Sequence, residues 1–185
     1  MTTLNRREAI QRTLAAAAGV AIVAAGGAVA CTRETPPVST TALGADDRAL
    51  MAEVADTLLP TTAASPGAKA AGAGDAIDLL LTDCYDAEAQ RKLVRGLGEL
   101  RSRCRTECAS GFAALPQAER ERLLRAVDAE AKAAGDAHWF HLARELSLRS
   151  YFSSEVGMTK ALRWIPVPGR WQGCVPLAPG QPAWG

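Results

Sequence analysis

Residues 86–111 read DAEAQRKLVRGLGELRSRCRTECASG, and their pattern decides the fold class. Leu93, Leu97, Leu100, Cys104 and Cys108 recur three or four positions apart, so they share one face of a helix. Asp86 stands ahead of the pattern as a residue able to accept from free N–H groups of a first turn. Ser110-Gly111 closes it just past Ala109. The segment is a long amphipathic helix that must bury its apolar stripe against other elements.

Those elements have the same period on both sides. Upstream, Leu50, Val54, Ala55, Leu58 and Leu59 fall on one face of a helix over 46–59 that Pro60 ends. A Gly/Ala/Pro-rich connection over 61–74 follows. Asp75 then reads as the N-cap of AIDLLLTDCY, with Asp78 three residues on in capping-box fashion. Downstream, Pro116 suits a first helical position, with Leu123, Leu124, Val127 and Ala131 behind it. Gly135-Asp136 is a stop and a start, and Trp139, Leu142, Ala143 and Leu146 share one side of a last long helix. A shorter helical turn over SEVGMTKAL ends the regular part. Aromatics are only 5% of the chain and alternating β-branched runs are missing, which argues against a sheet. The expectation is an all-α domain of about five helices over 46–162.

The pattern stops at Arg163. Residues 163–177, RWIPVPGRWQGCVPL, carry prolines that remove backbone donors and disfavour helix before them. Yet Trp164, Trp171 and Trp184 put three of the four tryptophans after residue 162. Fully extended, 163–185 would span about 70 Å, at about 3.3 Å per residue. Such an arm either wraps its own helices, held by Cys174, or lies along another protein, where Trp and Arg are favoured anchors. Trp164, Pro166, Pro168, Gly169, Arg170, Trp171 and Gly173 are the candidate partner contacts, with Tyr151, Glu155 and Gly157 supporting the turn into the arm.

The first 30 residues read as an export signal. Arg6 and Arg7 precede a weakly apolar Ala/Gly-rich run from Leu14 to Val29, and Ala28-Val29-Ala30 is a small-residue cleavage site. Paired arginines ahead of an alanine-rich run point to the twin-arginine translocase. Cleavage after Ala30 frees the mature chain, either directly or once Cys31 has been lipidated. A retained anchor is the other reading, although the apolar run is shorter than the about 20 residues of a span. The Thr/Pro-rich linker 31–45 is a tether in either case. The expected location is the periplasm, at the membrane if Cys31 is lipidated. That route carries folded cargo, which for a small helical chain implies a cofactor or a partner that holds one.

No motif supplies the cofactor. A phosphate-binding Gly-rich loop after a strand, a Walker lysine and a GxSxG elbow are all missing. Cys104 and Cys108 have metal-ligand spacing but no third ligand nearby, and read instead as buried thiols or half of a disulfide set. With Cys84 and Cys174 they make an even count: pairing is 84–104 with 108–174, or 84–108 with 104–174, or a single bridge, or one to a partner. His138 and His141 read as an exposed or capping pair. The net charge of +1 gives no case for nucleic acid. The sequence therefore places no catalytic residue and no metal site in this chain.

The block YFSSEVGMTKALRWIPVPGRWQGCVPL (151–177) resembles the C-terminal signature of the gluconate 2-dehydrogenase subunit 3 family. ADTLLPTT (55–62) resembles that family's first helix, and NRREAI (5–10) its twin-arginine signal. The resemblance implies a small helical subunit of a membrane-associated, flavin-dependent dehydrogenase for sugars, sugar acids or polyols. It implies FAD in a large partner subunit of glucose-methanol-choline type, and a multihaem c-type cytochrome as electron acceptor. It further implies that the small subunit carries the signal exporting the folded large one. Ala9 and Ala28 depart from the usual signal and lipidation patterns, which leaves the mode of anchoring open. The competing reading is a stand-alone helical periplasmic lipoprotein with a structural role.

Overall fold

The computed structural model describes residues 41–184 except Pro168, Arg170 and Gln172. Arg6, Arg7, Cys31, Pro168 and Arg170 therefore lie outside the described residues. The rest is all-α: five α-helices with short 3₁₀ turns and no strand among the described residues. They are α1 (Ala45–Leu58), α2 (Ala73–Cys84), α3 (Ala87–Cys108), α4 (Gln117–Ala134) and α5 (Trp139–Phe152).

Helix α5 is the centre of the packing, touching α1, α2, α3 and α4. Its inward face holds Trp139, Leu142, Ala143 and Leu146, as the periodicity predicts, together with Phe140 and Tyr151. Leu93, Leu97, Leu100 and Cys104 of α3 and Leu123, Leu124, Val127 and Ala131 of α4 close the same core. Their apolar stripes must all leave water at once, which drives the assembly.

Local signals set the helix ends. The Asp86 carboxylate accepts from Ala89 N at 2.8 Å, and such a cap contributes about 1 kcal/mol. His138 caps α5 through Nδ1, accepting from Phe140 N at 3.2 Å. Pro116 is the residue before α4 rather than its first helical residue, one position from the expectation. At the far end of α3, Ala109 adopts φ 50°, a left-handed conformation that a Cβ disfavours. Ala109→Gly is expected to stabilise the protein by about 1 kcal/mol, read as a higher urea midpoint at unchanged slope.

Helix α2 departs from its sequence reading. It starts after Gly72, so Asp75 lies inside the first turn instead of capping it. Asp78 does not close a capping box. It is buried at 4% exposure, and its Oδ1 accepts from Leu43 N at 2.9 Å. Ala42 N likewise donates to Thr82 Oγ1 at 2.9 Å. The carboxylate is spent on pinning the chain ahead of α1, so that Leu43, which the sequence places in the linker, is fully buried. Arg48 sits 3.6 Å from both Asp75 and Asp78 and offsets the buried charge.

Candidate partner-docking surface

The turn that launches the arm is built on the last turn of α5. Tyr151 is buried, and its hydroxyl donates to Pro66 O at 2.8 Å, tying the helix end to the loop before α2. Ser154 Oγ donates to Tyr151 O at 2.6 Å and accepts from Gly157 N at 3.0 Å. The chain then makes a π-turn over Gly157–Ala161, closed by Leu162 N donating to Gly157 O at 2.8 Å. Gly157 is buried against the α5 backbone, whereas Glu155 is exposed and lends only its carbonyl, to Thr159 Oγ1. Of the three residues assigned to this turn, Tyr151 and Gly157 build it.

The arm beyond leaves the core. The hydrophobic core and the side chains packed on it end at Ala161. Trp164 and Ile165 are about half in water, and Trp171 is 93% exposed, Val167 80% and Leu177 76%. Pro166, Gly169 and Gly173 are exposed as well, Gly169 with φ 72°. The arm is not the extended strap that its composition allows. Arg163 N donates to Ala183 O at 2.8 Å, Arg163 and Trp184 form an isolated bridge, and the guanidinium carbon lies 4.3 Å from the Trp184 ring centroid. The two ends of the arm meet, and residues 164–183 form a loop between them. The sequence names Trp184 as one of the terminal tryptophans without giving it a partner. Nothing local marks this pairing, because its two members are separated by the whole arm.

Cys84 and Cys174 are exposed thiols, Cys108 is half-buried and Cys104 fully buried; no disulfide joins them in this structure. Burial, with the neighbouring Cys108, pushes the Cys104 thiol up and leaves it unreactive at neutral pH. His141 Nε2 lies 3.0 Å from Ala131 O, holding α5 to α4. Among the described residues no group of three or more His, Cys, Asp or Glu is placed to hold a metal. A cleft between α1, α4 and α5, lined by Leu58, Leu124 and Phe140, has its charges paired, Arg144 with Asp128 at 2.7 Å and Arg125 with Glu121 at 3.2 Å. No helix among the described residues is long and apolar enough to cross a membrane.

A family model, gluconate 2-dehydrogenase subunit 3, matches residues 45–169 of the 185. The chain belongs to the gluconate 2-dehydrogenase subunit 3 family. The match begins at the first residue of α1 and runs through all five helices, the π-turn and the start of the arm. No curated protein and no solved structure matches the chain at a comparable level. Membership makes this chain a subunit of a dehydrogenase complex.

Proposed function

We propose that this chain is a non-catalytic small subunit that escorts a folded, FAD-dependent sugar or polyol dehydrogenase through the twin-arginine translocase and stabilises it in the periplasm. The observation that carries the reading is the arm: tryptophan, valine and leucine side chains held in water on a domain whose own core is complete without them. Such a patch is stable in solution when a second protein covers it. In this reading the catalytic subunit, of glucose-methanol-choline type, binds FAD and performs the hydride chemistry, and a c-type cytochrome takes the electrons. Arg6 and Arg7 carry export of both chains, and Cys31, if lipidated, holds the complex at the membrane.

The test is purification of the chain from its native membrane or periplasm under mild conditions. A yellow preparation with a larger second polypeptide supports the escort; a colourless single chain that stays monomeric supports the stand-alone lipoprotein instead. Replacing Arg6 and Arg7 together by Lys is expected to leave the partner's dehydrogenase activity in the cytoplasmic fraction. Activity that stays periplasmic in that variant rules out the export role.

A further inference from the structure

We infer that the arm docks as a closed loop, latched at its base by Arg163 and Trp184, and presents Val167, Trp171 and Leu177 to an apolar, weakly charged face of the dehydrogenase subunit. This rests on the reading that the arm is the docking element, and adds the conformation that binds and the residues that hold it.

The latch has two parts on different atoms. The backbone bond from Arg163 N to Ala183 O fixes where the two ends of the arm meet. The guanidinium over the Trp184 ring, 4.3 Å from its centroid, holds the side chains across that junction. Trp164, Ile165, Val175 and Trp184 are about half covered, while Val167, Trp171 and Leu177 are mostly in water. The apolar surface left free by the closed loop is thus mainly that of these three side chains.

Composition says what kind of surface receives them. Residues 164–185 contain one charged residue, Arg170, and five prolines. Five missing N–H groups leave the loop little ability to add a strand to a sheet edge. With a single charge it has no means of compensating a charged partner surface, whose groups would lose water without gaining partners. The complementary face is therefore an apolar depression with few charges. An anionic lipid surface fits poorly, because it rewards clusters of Lys and Arg. Closing the loop before binding removes part of the ordering cost of some twenty residues from the encounter, which is how a preorganised loop gains affinity.

The experiment uses the full chain and the dehydrogenase subunit that co-purifies with it. Amide exchange is measured at Arg163 in the free chain, and association and dissociation rates are measured with the partner captured on a surface. Arg163 should be protected in the free chain and lose that protection in Trp184→Ala. Trp184→Ala and Arg163→Ala should each weaken binding about tenfold, mainly through slower association, with helical content unchanged. Trp171→Ala should instead speed dissociation. If Trp184→Ala associates at the wild-type rate, or the Arg163 amide exchanges freely in the unaltered chain, the latch is overturned while arm docking stands. If a chain lacking residues 164–185 binds as tightly as the full one, arm docking itself falls. Binding of the free chain to phosphatidylglycerol vesicles that depends on Trp171 and is not displaced by the dehydrogenase would replace the protein partner with a membrane.

Discussion

Gly96→Ala is expected to destabilise this protein by about 3 kcal/mol, lowering Tm by roughly 10 °C, although Ala is the better helix former. A Cβ added at Gly96 would lie 2.0 Å from Cγ and 2.1 Å from Cδ2 of Trp139. The indole rests directly on the α3 backbone, and that contact sets how closely α3 and α5 approach. Trp139 cannot simply step aside, because it is 6% exposed and its ring meets Phe140 edge-on at 5.6 Å. Either the helices part or the indole leaves the core; both lose packing that a buried Trp supplies. Gly98, two residues along the same helix, is the control, since nothing lies within 4 Å of its added Cβ. Gly98→Ala should raise stability by about 0.5–1 kcal/mol through helix propensity alone. Thermal and urea melts of the two variants separate the contributions: opposite signs support the close approach, and equal signs refute it. A double variant, Gly96→Ala with Trp139→Phe, should lose less than the two single losses combined, because the smaller ring vacates the position that the new methyl needs.

The same pair shows where the sequence is legible and where it is not. Asp86, the leucines of α3 and the stripes of α4 and α5 are readable because each signal and its effect lie within a few turns of one helix. Gly96 is in plain view within such a helix, but its partner is 43 positions away on α5, and spacing carries no information about that. Asp78 misleads for the same reason. Its offset from Asp75 mimics a capping box, while its carboxylate serves Leu43 N, across a separation of 35 residues. The docking surface divides similarly. That 163–185 forms no regular element is written in its prolines and glycines, and its separation from the core in its position after the last apolar stripe. That Arg163 and Trp184 close it into a loop depends on a contact between its two extremes. A tryptophan at the far end of a segment whose only charges are Arg163 and Arg170 is the only hint the sequence offers.

Gly157→Ala should have the second large effect, and one that reaches the docking surface. The added Cβ would lie 2.0 Å from Tyr151 O, 2.8 Å from Tyr151 C and 2.9 Å from Phe152 Cα. All three are backbone atoms at the end of α5, so no side-chain rotation relieves the clash. The π-turn has to lift away from the helix. In doing so it breaks the Ser154 Oγ bond to Gly157 N and strains the Leu162 N bond to Gly157 O that closes the turn. A loss of more than about 3 kcal/mol follows from the overpacking and the broken bonds together. Because Arg163 comes directly after Leu162, the base of the arm moves with the turn. Gly157→Ala is therefore expected to lose the dehydrogenase subunit on purification even at a temperature where circular dichroism shows the helices intact. Tyr151→Phe discriminates this from general destabilisation. It removes only the hydroxyl that donates to Pro66 O at 2.8 Å, costs about 1 kcal/mol, and leaves the turn where it is. The complex should survive in Tyr151→Phe and fail in Gly157→Ala. Equal retention in both would show that the position of the arm's base does not govern assembly, and equal loss would show that stability alone does.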